Sequence, residues 1–242
     1  MLILMLLVGF IPENRDLAAQ RASFHEYNVI DGLPQSQILY IYQDSRGYLW
    51  IGTRNGLSRF DGVEFINYFR TDGLPDNMIT NVFEDRGKIL WAISNSGLSR
   101  YNGNRFEYFP PPVGFAEWSF AYPASVDTLN NIYVLANLRE KNIQKIMLFS
   151  DGAYKEYSAN FPPLDTLMIQ NVYSDNSTGS MLILDKHKTI WRWKNNVLKA
   201  LSGRKFSVMY QEDNELVATS NDSLFRYSGG KFEFYDFIPG TE

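Results

Sequence analysis

From Ile38 onward the chain alternates short apolar runs with polar breaks. Ile38 to Gln43 is rich in β-branched and aromatic residues, "DSRG" interrupts it, and "LWIGT" follows. "RNG" then separates this run from "LSRF", and "DG" separates "LSRF" from "EFINYF". Runs this short, bounded by Gly, Asn and Asp, predict strands joined by tight hairpins. The same order returns 41 residues later: "DGLPQSQILYIYQDSRGYLWIGTRNGLSRFDG" from Asp31 and "DGLPDNMITNVFEDRGKILWAISNSGLSRYNG" from Asp72 align without a gap, and 14 of 41 positions are identical. Such a period marks an array of one supersecondary unit. Gly, Pro and Asn at this frequency exclude helical repeats of similar length. Four short antiparallel strands per period predict an all-β fold, the blades of a β-propeller.

The pattern can be followed along the whole chain. Outermost-strand anchors recur at Phe24, Phe65, Phe106, Tyr154, Leu198 and Phe232, and third-strand runs recur as "GLSRF", "GLSRY", "KIMLF", "TIWRW" and "SLFRY". They divide a propeller domain at residues 23–238 into five blades, about 29–69, 70–110, 111–158, 159–201 and 202–237. Residues 23–28 read as a lone fourth strand that would latch a ring by completing its final blade. The five blades are either a complete ring or part of a larger one. Between the two clear repeats one turn differs: Asp44 precedes Gly47, whereas Asp85 precedes Gly87, while Trp50 and Trp91 keep register. That shift predicts a bulge or another turn type in the second repeat.

Met1 to Ile11 form an apolar block too short to span a bilayer as a helix. With Ala18, Ala19 and Ala22 behind it, residues 1–22 read as a signal peptide or apolar leader, although no Lys or Arg precedes the block. Export is the expectation, and no transmembrane span is expected in this chain. The 242 residues carry a net charge of −4 with scattered basic side chains, which argues against a nucleic-acid partner. Cysteine is absent, so disulfides, thiolate metal sites and a Cys nucleophile are excluded. Aromatic residues make up 15% of the chain, a bias that suits strands.

The frame G-L-P-x-x-x-(I/V), an aspartate turn, L-W and G-L-x-R-(F/Y), written twice over residues 31–109, resembles the two-component regulator propeller repeats. Those repeats occur in periplasmic sensor regions of histidine kinases and hybrid two-component systems. There the rings are usually seven-bladed, often paired, and followed by an immunoglobulin-like domain, a membrane span and a kinase. The resemblance implies a periplasmic or otherwise exported sensor piece, truncated or free-standing, with any kinase outside this chain. It also implies other propeller or signalling domains as partners, including a dimer, and a glycan or similar polar ligand.

Catalytic chemistry finds no foothold in the residues. His25 and His187 are the two histidines and neither has metal-ligand neighbours at useful spacing, so no metal and no cofactor is expected. G-x-S-x-G, P-loop and dinucleotide frames are absent. Trp50 and Trp91 are read as packing between blades, Asp44 and Asp85 as turn caps, and Arg59, Arg100, Arg192 and Arg226 as cations pairing between blades. Recognition is left to the loops entering each first strand and those joining strands two and three, which share one face of a propeller. They carry Gln35, Ser36, Gln37, Asp76, Asn77 and Met78, with Arg54, Asn55, Asn95 and Ser96. Neutral amides and hydroxyls there suit a carbohydrate or other polar ligand. A protein-interaction scaffold is the alternative reading, and a propeller lyase or glycosidase a more distant one.

Overall fold

The computed structural model describes residues 25–113, 119–138, 143–157, 167–195, 197–201, 203–212 and 215–237. The expected leader at 1–22 and the first outer-strand anchor, Phe24, lie outside the described residues. Twenty strands form five four-stranded antiparallel sheets, each assembled from consecutive hairpins. Blade one holds β1 (Ile38–Gln43), β2 (Leu49–Thr53), β3 (Gly56–Phe60) and β4 (Phe65–Tyr68). Blade two holds β5 (Ile79–Glu84), β6 (Leu90–Ser94), β7 (Gly97–Tyr101) and β8 (Phe106–Phe109). Blade three holds β9 (Ser119–Val126), β10 (Ile132–Leu138), β11 (Ile143–Ser150) and β12 (Ala153–Glu156). Blade four holds β13 (Ile169–Asp175), β14 (Ser180–Asp185), β15 (Ile190–Lys194) and β16 (Val197–Ala200). Blade five holds β17 (Val208–Glu212), β18 (Glu215–Ser220), β19 (Ser223–Ser228) and β20 (Lys231–Phe237).

The repeated "DGLP" builds the link into a blade. In blade two, Arg70–Asp72 form one 3-10 turn, the Asp72 carboxylate accepts from Phe69 N at 2.9 Å, and Gly73 follows at φ +93°. The same device precedes blade one, where Asp31 accepts from Asn28 N at 2.8 Å and Gly32 sits at φ +114°. Both glycines are in the left-handed region that a Cβ disfavours. The residue after each, Leu33 or Leu74, drops into the core.

Each sheet has a leading face toward the blade before it and a trailing face toward the blade after it. Four apolar cores form where these faces meet. Trp50, Leu57 and Tyr68 from blade one meet Ile79, Val82, Ala92, Tyr101 and Phe106 from blade two. Trp91, Ile93 and Leu98 meet Ile132, Val134, Met147 and Phe149. Tyr133, Leu135 and Ile146 meet Val172, Ile183 and Trp193. Tyr173, Leu182 and Ile190 meet Phe206, Met209, Ala218 and Phe225. A fifth cluster, Leu33, Ile51 and Phe60, belongs to the leading face of blade one alone. Among the described residues, then, blade five and blade one share no core, and the five sheets form an arc whose ends do not pack together.

The latching strand expected at residues 23–28 is not formed by its described part. Residues 25–28 are in no strand, and blade five supplies its own outermost strand, β20. The segment instead lies on blade one, where the Tyr27 ring packs edge-on against Phe60 at 5.0 Å and Phe65 at 5.6 Å. The apolar leading face there offers cover, whereas the sheet of blade five is already filled. The bulge expected in the β5–β6 turn is also absent. Lys88 N donates to Asp85 O at 3.0 Å, as Gly47 N does to Asp44 O at 2.9 Å. Lys88 itself takes the left-handed conformation, φ 60°, that Gly47 holds in blade one. The turn type is kept, and a lysine bears the strain that the displaced glycine would have relieved.

Candidate functional site

Two kinds of polar site emerge at opposite ends of the strands. At the first, the turn between a blade's first and second strands closes on an aspartate. Asp44 Oδ1 accepts from Arg46 N at 2.9 Å and Tyr48 N at 3.0 Å, and Oδ2 accepts from Trp50 Nε1 at 2.9 Å. Asp85 repeats this with Gly87 N, Ile89 N and Trp91 Nε1, at 2.8, 3.1 and 2.9 Å. The carboxylate thus satisfies the turn's amides and ties them to the indole buried between blades. Trp50 is fully buried against Tyr68, Tyr101 and Phe106.

The same node occurs where the repeat pattern does not mark it. Asp127 accepts from Leu129 N, Asn131 N and, six residues on, the Tyr133 hydroxyl at 3.0 Å. Asp185 does so on the second hairpin of blade four, accepting from Thr189 N and Trp191 Nε1, both at 2.9 Å. In the first turn of blade four Leu182 takes the ladder position of Trp50, opposite a tyrosine on the first strand. No indole can reach Asp175, and the Tyr227 hydroxyl crosses from blade five to donate to it at 2.9 Å. The signal that would have revealed the nodes at Asp127 and Asp185 is an aspartate followed six residues later by an aromatic donor.

Burial pushes the Asp44 carboxyl up, but the hydrogen bonds from Trp50, Arg46 and Tyr48 outweigh it and hold its pKa below the usual carboxylate range. Asp175 is lowered in the same way: burial opposes, while Ser177, Thr178 and Tyr227 prevail. A pKa lower in the folded than in the unfolded chain means the ionised group stabilises the fold above about pH 4, and that contribution is lost as pH falls through the folded-state value. Urea unfolding from pH 7 down to about pH 2.5 should show that acid loss. Asp44→Asn with Asp175→Asn should flatten it while lowering stability at pH 7 by about 1–3 kcal/mol per site. An acid limb as steep as in the wild type would remove these two carboxylates as its source.

The arginines divide. Arg59 reaches across to the Tyr101 hydroxyl at 3.4 Å and lies 4.6 Å from the Tyr48 ring centroid. Arg192 approaches the β19–β20 turn of blade five, its guanidinium 3.1 Å from where a Cβ on Gly230 would sit. Arg100 and Arg226 instead pair within their own sheets, with Glu107 at 2.6 Å and Glu215 at 3.0 Å. For these two, the expected pairing between blades is corrected, because a carboxylate stands on the neighbouring strand.

The second site is the loop face expected to recognise a ligand. The ladder pairs Ile38 with Thr53 and Ile79 with Ser94, so the segments before β1 and β5 lie at the same strand ends as the β2–β3 and β6–β7 turns. Several candidates there are occupied in holding the chain. Asn77 Oδ1 accepts from Arg70 N at 3.0 Å, its Nδ2 donates to Asn55 Oδ1 at 3.4 Å, and its carbonyl accepts from Gly56 N at 2.7 Å. Asp76 accepts from Met78 N at 3.4 Å and Ser96 Oγ at 3.5 Å. Gln35 Oε1 accepts from Gln37 N at 3.1 Å. The side chains of Ser36, Gln37, Arg54 and Asn95 have no hydrogen-bond partner among the described residues, and all but the half-buried Asn95 are exposed. The structure therefore joins Asn55 to Asn77 and Asp76 to Ser96, and leaves the other four facing outward.

No group of three or more His, Cys, Asp or Glu that could hold a metal occurs among the described residues. His25 stacks edge-on with Tyr27 at 4.4 Å. No helix of the described residues is long and apolar enough to cross a membrane.

Successive four-stranded sheets, each feeding the next across a shared core, define a β-propeller repeat protein. Residues 32–55 match the model of the two component regulator propeller, and that stretch is a two component regulator propeller repeat. A 54-residue stretch is 48% identical to histidine kinase P4 of Formosa agariphila, covering 22% of this chain and 4% of that protein. The fold is similar to the extracellular domain of a protein described as a hybrid two-component system from B. thetaiotaomicron, with TM-score 0.61, 16% identity, and 88% of this chain covered against 32% of that one. It is also similar to the extracellular domain of a protein described as a one component system from the same organism, with TM-score 0.60, 21% identity, and coverage of 83% and 31%. This chain spans about a third of the length of those solved structures.

Proposed function

We propose that these blades are the exported sensing module of a two-component signalling protein and bind a neutral polar ligand, an oligosaccharide by the chemistry of the loop face. The observation that carries the reading is the regulator-propeller repeat at residues 32–55, within a chain similar in fold to extracellular domains of a hybrid two-component system and a one component system. The free donors and acceptors of Ser36, Gln37, Arg54 and Asn95 supply the hydrogen bonds, with a single positive charge among them. A ring of sugar hydroxyls asks for this vocabulary of amides and hydroxyls. Binding acts by favouring one arrangement of the domains attached to the arc over another.

Thermal unfolding of the purified chain against a panel of neutral oligosaccharides tests this. A binder at a hundred times its Kd is expected to add about 2.7 kcal/mol, raising Tm by roughly 5–10 °C. Arg54→Ala with Gln37→Ala is expected to abolish the shift and leave the unliganded Tm unchanged. Asn77→Ala should instead lower the unliganded Tm, because Asn77 bridges the two blades. A ligand shift that survives in the Arg54/Gln37 double variant would move the site off this face, and a panel without any shift would sink the oligosaccharide assignment.

A further inference from the structure

Blades one and two share a rung that they complete differently. Ser58 pairs with Asn67 across β3 and β4, and 41 residues on Ser99 pairs with Tyr108 across β7 and β8. In blade one the rung is closed: Ser58 Oγ donates to Asn67 Oδ1 at 2.6 Å, and Asn67 Nδ2 donates to Gly32 O at 2.8 Å. In blade two the tyrosine makes neither bond. Ser99 is 0% exposed, and its Oγ has no hydrogen-bond partner among the described residues. An orphaned buried hydroxyl lowers stability, and the residue that would satisfy it stands one period earlier in the chain.

The tyrosine is held elsewhere. Its hydroxyl donates to Ser96 O in the β6–β7 turn at 2.9 Å. The ring lies beside that turn, since a Cβ on Gly97 would stand 3.4 Å from Tyr108 Cε2. Tethered at its polar end, Tyr108 is still 40% exposed. Polar groups surround it. Ser96 Oγ donates to Asp76 at 3.5 Å, and the Asn95 side chain has no hydrogen-bond partner among the described residues. Burial pushes the Tyr108 hydroxyl up, the Arg70 guanidinium opposes that and the Asp76 carboxylate adds to it, so both charges act at the polar end of the ring. Asn77, next to Asp76, bonds to Asn55, next to Arg54, so Tyr108 lies on the same strip as the free groups of blade one. Trp50 and Trp91, at 0% and 5% exposed, offer a ligand no face.

Resting on the reading of this face as a sugar site, we propose that Tyr108 is its stacking platform: one sugar ring of the ligand lies flat on the tyrosine, with Asn95, Asp76 and Arg70 at its rim. The apolar C–H face of a pyranose suits an aromatic ring, while its hydroxyls need planar polar partners around the edge. A ring already fixed by its hydroxyl loses little freedom when the ligand arrives. The unpaired Ser99 hydroxyl is the structural consequence of putting a tyrosine where the first repeat has an asparagine. Functional positions are where such local inconsistencies are expected.

Calorimetric titration and thermal unfolding with neutral tetrasaccharides of glucose, mannose, galactose and xylose test this. Tyr108→Asn recreates the rung of blade one. It is expected to weaken whichever tetrasaccharide binds the wild type by about tenfold or more, with an unliganded Tm at or above the wild-type value. Tyr108→Phe keeps the ring without its tether and should fall between the two. Tyr108→Leu keeps apolar bulk without an aromatic face and should bind as weakly as the Asn variant, a comparison that does not depend on the rung re-forming. A Leu variant that binds as tightly as the Phe variant would overturn the stacking role. An unliganded Tm that falls as far in Tyr108→Asn as in Tyr108→Ala would make the ring a brace of the fold and overturn the proposal as well. A shift abolished by Arg54→Ala with Gln37→Ala but kept in Tyr108→Asn and Tyr108→Leu would overturn the role of Tyr108 alone. A wild-type chain unmoved by all of the sugars would overturn it together with the reading it rests on.

Discussion

Trp50→Ala is expected to lower stability by about 3–5 kcal/mol, taking Tm down by roughly 10–15 °C. The indole is fully buried, and its removal opens a cavity bordered by Tyr68, Tyr101 and Phe106, two of them on the next blade. It also takes from Asp44 the donor held at 2.9 Å. Trp50→Phe separates the two losses. It keeps most of the packing and leaves the carboxylate one hydrogen bond short, so about 1–2 kcal/mol is expected. Urea unfolding of both variants checks the order. A Phe variant as damaged as the Ala variant would place the energy in the hydrogen bond and not in the aromatic packing.

Gly73→Ala is expected to be the most damaging of the glycine substitutions in the repeat. Its Cβ would stand 1.9 Å from the Phe106 carbonyl oxygen, on a residue already at φ +93°. Gly62 has nearly the same backbone, φ +99°, with nothing within 4 Å of the added carbon. Gly62→Ala therefore carries only the left-handed strain, about 1–2 kcal/mol, whereas Gly73→Ala adds a backbone collision that must displace β8 and should exceed about 4 kcal/mol or yield insoluble protein. Gly32→Ala falls between them, because the nearest atom there is the Phe65 Cβ at 3.4 Å. Equal losses at Gly62 and Gly73 would mean that β8 yields at little cost.

The repeat made most of the architecture readable. Hairpin signals at "RNG" and "DG" place β2, β3 and β4, and the 41-residue offset places β6, β7 and β8. Trp50 and Asp44 were legible as packing and capping residues because both recur. Their direct bond was not, since an indole N–H and a carboxylate six residues apart meet only once the turn has closed. Asp127, Asp175 and Asp185 escaped because the node tolerates replacement: a tyrosine serves for the tryptophan, a neighbouring blade supplies the donor, and the turn moves to another hairpin. The displaced Gly87 misled for a related reason. A turn dictated by the aspartate and the ladder on both sides forces Lys88 into the left-handed region. On the loop face, Asn77 is engaged as a brace between loops, while Arg54 and Gln37 have no hydrogen-bond partner among the described residues. Which amide a loop consumes for itself depends on partners such as Arg70 N and Asn55, on other loops, and composition does not encode that.

Because every shared core among the described residues joins the trailing face of one blade to the leading face of the next, its residues come from neighbouring periods. The contacts are therefore short-ranged in sequence for an all-β protein, and closing each one costs little loop entropy. A chain emerging from a ribosome or a translocation pore can complete each core as soon as the following blade has appeared. Among the described residues, no shared core has to wait for a distant terminus to arrive.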